Sequence, residues 1–385
     1  MSNYKSQMGR SFNYLLILVL LLPGCKSLEV ELQQVQTVVH RVGKQLVPDK
    51  RHGLFDIKAT AQGSRITLTG EVLSSDVSQT LLDSLRKAFP KLNFEDSIAV
   101  LPEGELSRTG FGIVKISVAN QRREPRYQAE LVNQAFLGTI VRVFKTEGSF
   151  YFVQNQDKYL GWMSKGSLTL VDSAGVATWQ NADRMICIAN YDVVVHIDGS
   201  GKEVLVDLVP GATLKRLGRH AGFIKVETPD KRIGYVKKES LIEEEALKAV
   251  QATRDRIIQT SKRFLGAPYL WGGTSPKGFD CSGFVQTVFK LNNLSLPRDA
   301  SQQANEGVAV EPGEDFENLQ PGDLVCFGKR PERISHIGIY LGDQLYIHSS
   351  FSVHVNSFDK EHPLYNDYRY KRFQKVRRLL NQAGD

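Results

Sequence analysis

The sequence predicts a multi-domain chain: a small α/β module, two similar all-β units and a C-terminal α+β unit. Three observations carry this. Residues 54–101 alternate strand-like and helix-like spacing; 110–243 break into short strands at Gly, Asn and Asp with almost no helical period; and from 243 the helical period returns before a new set of strands. A length of 385 residues with 41% hydrophobic content is enough for several compact domains.

The N-terminus has the layout of an export signal. Lys5 and Arg10 precede "YLLILVLLLPGC", and its apolar core, Leu15–Leu22, is too short to span a bilayer as a mature helix. Ending on Leu22-Pro23-Gly24-Cys25, residues 1–25 resemble a bacterial lipoprotein signal, although Pro23 departs from the small residue usual there. The resemblance implies lipidation of Cys25, with the mature protein exported and held at a membrane in the periplasm or cell envelope. An ordinary cleaved signal with an incidental Cys25 is the alternative.

After a polar tether, "RITLTGEV" has the period of a strand, "SDVSQTLLDSLRKAF" is amphipathic with Ser75 or Asp76 as its cap, and "SIAVLP" closes as a strand. The module, with its tether spanning 26–108, faintly resembles the BON-type domains of envelope proteins. None of its residues carries chemistry.

The all-β region contains an internal duplication. "GTIVRVFKTEGSFYFVQNQDKYLGWMSKGSL" at 138–168 matches "GATLKRLGRHAGFIKVETPDKRIGYVKKESL" at 211–241: Gly, strand, turn, Phe-centred strand, polar turn, "LGW" or "IGY", and a closing Ser-Leu. Both copies resemble bacterial SH3-like barrels, expected over 109–175 and 176–243, and "SVANQRREPRYQAELVNQAFLG" adds to the likeness of the first. The resemblance implies wall targeting or shaping of a cleft.

The last unit, 244–385, opens on a helix expected over 243–265. Glu243, Glu244 and Glu245 suit its N-terminal end, Lys262 and Arg263 the other, and Gly266 and Pro268 stop it. "FDCSGFVQ" then places Cys281 at a second helix start, since Phe284, Val285, Val288 and Phe289 recur at helical intervals. Unpaired N–H groups and the positive dipole end there favour a thiolate. Cys187 and Cys326 lie in apolar strand-like runs and read as small hydrophobes; three widely spaced thiols besides Cys25 suggest neither a disulfide framework nor a zinc site.

A reactive thiol needs a base. "ISHIGIYLGDQLYIHSS" reads as strands Ile334–Leu341 and Leu345–Ser349 joined around Gly342-Asp343, with His336, Gly338 and Tyr340 on one face. An odd loop, or an even loop plus a bulge, sets His336 and His348 opposite each other on one face, whereas a plain two-residue loop separates them. The first arrangement supplies a base and a second imidazole to orient it.

"RFLGAPYLWGGTSPKGFDCSGFVQ", "LPRDASQQ", "LQPGDLVCF" and "SHIGIYLGDQLYIHSS" occur in the order seen in the NlpC-type cell-wall cysteine peptidases, a papain-like family, over about 255–380. The resemblance implies Cys281 as nucleophile, His336 as base and His348 as orienting residue, with the Tyr269 hydroxyl helping to bind the oxyanion. It implies Trp271 as a subsite wall, Asp280 and Ser282 as groove-lining residues, and Asp299 as the carboxylate facing the substrate's free amine. Ala300 stands where relatives carry serine. In the first barrel, Glu130 and Tyr159 resemble residues that close the far end of the groove. Read structurally, Tyr269 and Trp271 are core aromatics, Asp280 caps the helix, and Asp299 pairs with Arg298 or caps "ASQQAN".

With two SH3-like barrels before a papain-like α+β domain, the chain is similar to the γ-D-glutamyl-L-diamino acid endopeptidases of that family. The resemblance implies hydrolysis of the γ-D-glutamyl–diamino acid amide in peptidoglycan stem peptides, chiefly released fragments with a free N-terminal L-Ala, by a monomer needing neither metal nor organic cofactor. A non-catalytic wall-binding lipoprotein and a papain-like acyltransferase are the rival readings. The net charge of +7 suits acidic polymers or an anionic surface, but no module for nucleic acid is present.

Overall fold

In a computed structural model of the chain, residues 23–62, 65–198 and 201–380 are described. The expected signal segment up to residue 22 lies outside them, as does the side chain of Cys25. Among the described residues no helix is long and apolar enough to cross a membrane. The described residues form two compact units, one joining 23–48 with Phe55–Ala99, the other joining Asp49–Leu54 with 100–380.

The first unit contains α1 (Pro23–Leu46), β1 (Phe55–Gln62), β2 (Arg65–Val72), α2 (Ser75–Ala88) and β3 (Asn93–Val100), with the strands in the order β1-β2-β3. The tether expected before residue 54 is therefore a helix over most of its length. Val35, Val39 and Val42 repeat at helical spacing and are buried, so α1 has an apolar stripe to place against the sheet. The cap of α2 is Ser74 rather than Ser75 or Asp76: its hydroxyl accepts from Asp76 N–H at 3.2 Å.

The second unit begins with β4 (Phe111–Val114), β5 (Val118–Arg122), β6 (Leu131–Phe136), β7 (Ile140–Glu147), β8 (Phe150–Gln154), β9 (Leu160–Ser164) and β10 (Leu168–Val171), in the sheet order β10-β4-β7-β8-β9-β5-β6. After α3 (Ser173–Gln180) come β11 (Arg184–Cys187), β12 (Asp192–Asp198), β13 (Gly201–Leu208), β14 (Thr213–His220), β15 (Phe223–Glu227), β16 (Ile233–Lys237) and β17 (Leu241–Glu243), ordered β17-β11-β14-β15-β16-β12-β13. The second order repeats the first strand for strand. Even the irregularities correspond, with register shifts at Val143/Lys145 and at Arg216/Gly218.

The helix expected over 243–265 is two helices, α4 (Glu244–Lys248) and α5 (Arg254–Lys262). The break has a local cause: Thr253 adopts an extended conformation and its hydroxyl accepts from Arg256 N–H, starting a new helix there. Next come β18 (Thr274–Ser275), β19 (Gly278–Phe279), α6 (Cys281–Lys290), α7 (Ala300–Gln303), β20 (Val308–Val310), β21 (Leu324–Gly328), β22 (Ile334–Gly342), β23 (Leu345–Ser349), β24 (Val353–Ser357), α8 (Asp367–Tyr370) and β25 (Phe373–Arg378). Six of these strands form one sheet in the order β20-β25-β21-β22-β23-β24.

Helix α6 lies against that sheet. Phe284, Val285, Val288 and Phe289 are fully buried in one cluster with Leu324, Cys326, Ile337, Ile339 and Ile347. Each such side chain contributes about 1.5–3 kcal/mol relative to exposure, so the start of α6 is fixed against β22 by its own apolar face. Cys187 and Cys326 are buried free thiols at strand positions, as expected.

Candidate active site

Cys281 is the first residue of α6, and what holds it there is the residue before it. Asp280 is extended and caps the helix, accepting from Gly283 N–H at 2.6 Å; its second oxygen accepts from Gly272 N–H at 2.9 Å. Arg298, 1% exposed, places its guanidinium on both oxygens of Asp280 and donates to Ser282 Oγ at 3.0 Å. Arg298 therefore pairs with Asp280 and not with its neighbour Asp299. Asp280 thus caps the helix, as its structural reading expected, and Ser282 bonds beside it. Both border the cleft, but the carboxylate is fully engaged by backbone and guanidinium, and the hydroxyl is shared between Asp280 and Arg298.

The two histidines come from the β22–β23 hairpin. Its turn residues, Asp343 and Gln344, both have positive φ, and the register shifts between Tyr340 and Gly342. The hairpin thus combines a two-residue loop with a bulge, one of the two arrangements that keep His336 and His348 on one face. They are diagonal rather than opposite, because His348 falls across from Gly338. A Cβ at Gly338 would lie 3.1 Å from His348 Cβ and 2.9 Å from Ile347 O, so the missing side chain admits the second imidazole. His336 Nε2 and His348 Nδ1 are 2.8 Å apart, and His348 Nε2 lies 2.9 Å from Asn356 Oδ1 on β24.

Burial governs the electrostatics. It pushes the Cys281 thiol up to about 12, with the Asp280 carboxylate adding to the effect and an Ile337 N–H opposing it. His336 is held well below the usual imidazole range by burial first and His348 second, and burial takes His348 down to about 3. The free site is therefore biased toward a neutral thiol beside two neutral imidazoles. The thiolate expected from the helix start alone is outweighed.

Cys281 opens on a cleft of about 250 Å³ whose walls include Tyr269, Trp271, Asp280, Ser282, Asp299, Glu130 and Tyr159. His336 and His348 stand on β22 and β23 of the sheet against which α6 packs. Tyr269 is half-buried, its N–H donating to Phe351 O at 3.0 Å. Trp271 donates from Nε1 to Glu130 Oε1 at 2.9 Å, and Arg123 holds the other Glu130 oxygen at 2.6 Å. Gly272 makes this junction possible. Its φ is +78°, and a Cβ there would fall 2.2 Å from Leu131 O of β6. Beside it, Thr274 N–H donates to Gln134 Oε1 at 2.9 Å, so the first seven-stranded sheet forms one wall.

Also on the cleft wall, Tyr159 OH donates to Asp299 Oδ2 at 3.3 Å, and Asp299 caps α7 with Gln302 in a reciprocal capping box. Asp299 also accepts from Arg51 Nη1 at 2.6 Å, and Arg51 is in turn paired with Asp49. Arg51, Arg298 and Asn356 were not identified from sequence. Asn356 had a usable signal, since "VHVNS" alternates and puts it on the face of His354. Among the described residues no group of three or more His, Cys, Asp or Glu could hold a metal ion.

A thiol at a helix start, packed against an antiparallel sheet that supplies two linked histidines, defines a papain-like cysteine hydrolase. Residues 266–378 match the NlpC/P60 family and 122–168 match the bacterial dipeptidyl-peptidase Sh3 domain. A dipeptidyl-peptidase 6 of Lysinibacillus sphaericus is 31% identical over 264 residues, covering 66% of this chain and 93% of that protein. A γ-D-glutamyl-L-lysine dipeptidyl-peptidase of Bacillus cereus is 30% identical over 57% of this chain and 67% of that protein. A crystal structure of a Bacillus cereus NlpC/P60 protein superposes with a TM-score of 0.62 at 23% identity, covering 70% of this chain and 100% of that one, which shows the fold. The chain belongs to the NlpC/P60 family of cysteine peptidases, with an SH3-like domain ahead of the peptidase domain. It is a peptidoglycan endopeptidase.

Proposed function

We propose that the chain hydrolyses the γ-D-glutamyl–diamino acid amide of peptidoglycan stem peptides, with Cys281 as nucleophile, His336 as base and His348 as its orienting partner. The Sγ–H proton passes to His336 as sulfur bonds to the carbonyl carbon. The oxyanion is received by the first-turn N–H of Cys281 and the Tyr269 hydroxyl. His336 returns the proton to the leaving amine, and the C–N bond breaks to leave a thioester. Water, losing a proton to His336, then releases the acid and restores the thiol. The observation that supports this most is Cys281 at the start of α6, lining a cleft and packed on the sheet whose β22–β23 hairpin carries the linked His336 and His348.

The preferred substrate in this reading begins with a free L-Ala. Asp299, Tyr159 and Glu130 end the cleft, leaving room for two residues before the scissile bond. Because Arg51 already neutralises Asp299, the exclusion of an acylated amine rests on the closed end more than on an unpaired carboxylate. The second seven-stranded sheet, with its repeated strand order, is read as a second SH3-like barrel over 176–243. The first unit is read as a BON-like module, and Cys25 as the lipid anchor of a monomeric envelope protein.

Mass spectrometry of products from defined tripeptides L-Ala-γ-D-Glu-diamino acid, free and N-acetylated, and from whole sacculi tests the proposal. Release of L-Ala-γ-D-Glu from the free tripeptide by the wild type, and no release by Cys281→Ala, is the expected result. Cleavage at another bond, or retained activity in Cys281→Ala, would overturn it.

A further inference from the structure

Beyond Cys281, His336 and His348, the hydrogen-bond network reaches Asn356, whose amide has a defined orientation. Its Nδ2 donates to Leu364 O at 3.1 Å, and its Oδ1 receives Asn366 Nδ2 at 3.4 Å. Turned over, the amide would set oxygen against a carbonyl and nitrogen against a second amide nitrogen, so the oxygen must face His348. His348 Nε2, 2.9 Å away, is then the donor. Neutral His348 has one N–H, which leaves its Nδ1 as an acceptor. His336 Nε2, 2.8 Å from that Nδ1, must carry the proton of its own ring. The nitrogen left unprotonated on His336 is Nδ1. One fixed amide thus sets two tautomers in series.

We propose that Asn356 is a positioning residue of the peptidase site, fixing His348 and through it His336 in their Nε2–H forms so that His336 Nδ1 is free to take the Cys281 proton. This rests on the roles assigned to those three residues above. An amide suits the task better than a carboxylate. Asn356 accepts one hydrogen bond and favours a second proton on His348 only weakly against burial, whereas a carboxylate there would favour the imidazolium strongly. Imidazolium at His348 turns its Nδ1 into a donor that opposes His336 Nε2–H. His336 then rearranges to carry its proton on Nδ1, where no base remains for the thiol.

The other groups that bear on this pair come from three elements. His354 on β24 packs tilted against His348 with ring centroids 4.5 Å apart, and its Nδ1 donates to Ser352 O, away from the pair. Tyr346 on β23 packs against His348 at 5.3 Å, and Arg369 of α8 adds a positive charge that disfavours protonating either histidine.

The test uses the full chain with Asn356→Leu, Asn356→Asp and Asn356→Gln, assayed on L-Ala-γ-D-Glu-diamino acid from pH 5 to 9. In Asn356→Asp the acid limb of kcat/KM should move up by about one pH unit or more, with activity recovering at high pH. Asn356→Leu should lose about tenfold or more in kcat at every pH with KM little changed, and Asn356→Gln should restore part of it. Imidazole nitrogen NMR of histidine-labelled protein, assigned with single histidine variants, should find both rings in the Nε2–H form in the wild type and mixed forms in Asn356→Leu. Unchanged pH profiles in Asn356→Asp together with wild-type kcat in Asn356→Leu would overturn the proposal, as would an Nδ1–H tautomer at either ring. If the wild type cleaves no stem peptide, the substrate assignment fails, while the tautomer measurement still decides the role of Asn356.

Discussion

At Cys281 two influences of opposite sign meet. The first turn of α6 supplies unpaired N–H groups that favour a thiolate, while burial and the adjacent Asp280 carboxylate favour the thiol and prevail, at about 12. Burial pushes Cys187 and Cys326 up to about 12 as well, so acidity does not distinguish the three thiols. Exposure does: Cys281 is 8% exposed at the cleft, and the others are at 0%. Iodoacetamide should therefore modify Cys281 first. Because its thiolate grows with pH toward a raised pKa, the alkylation rate should climb by about tenfold per pH unit from 6 to 9. A rate flat over that range would mean that His336 holds the thiolate as an ion pair. In the sequence, Cys281, His336 and His348 were legible as candidates because motif order and strand period both pointed to them. Arg298 was not, because nothing local tells a buried guanidinium from a surface one. Its partner lies across a turn and a helix.

The start of α6 depends on one ion pair. Asp280 and Arg298 are 8% and 1% exposed, and their attraction offsets a desolvation cost that neither could bear alone. Arg298→Met should leave a buried, uncompensated carboxylate and cost about 3–5 kcal/mol of stability. Asp280→Asn combined with Arg298→Met removes both charges while the Asn side chain still caps Gly283, so the double variant should regain part of that loss in urea unfolding. Strictly additive losses would show that the two charges do not depend on each other. Other elements show where sequence reasoning stops. The period that marks α1 is present at Val35, Val39 and Val42, yet its polar surroundings read as a tether. Over 243–265 the end charges and Gly266 mark only the outer limits, whereas the Thr253 cap that divides the segment is an ordinary helix residue unless its backbone is extended. Sequence alone permits two loops for the hairpin, and the bulge at Leu341 selects one.

At the scale of the molecule, the duplication was legible because both copies keep the same Gly, Phe and Ser-Leu landmarks, and their sheets have the same strand order. Glu130, Tyr159 and Asp299 were expected at the closed end of the cleft, but the part Arg51 takes there was not legible, because it joins residues far apart in the chain. Leu160 N–H donates to Arg51 O at 2.7 Å, which seats Arg51 beside Tyr159 and delivers its guanidinium to Asp299, 248 residues away. Asp299 keeps its orientation without that contact, through the capping box with Gln302 and the Tyr159 hydroxyl. What Arg51 changes is the charge presented to a substrate's amine. In Arg51→Ala the carboxylate loses its permanent cation, so an incoming ammonium should gain more from it than in the wild type. The preference for free over N-acetylated L-Ala-γ-D-Glu-diamino acid, as a ratio of kcat/KM, should rise by about two- to fivefold, the scale of a partly exposed ion pair worth under about 1 kcal/mol. That gain should shrink as salt is raised from low to physiological strength, because the charges involved are partly solvated. A ratio that falls instead, with a higher KM for the free tripeptide, would mean that Arg51 orients Asp299 and that its charge is not the quantity the cleft responds to.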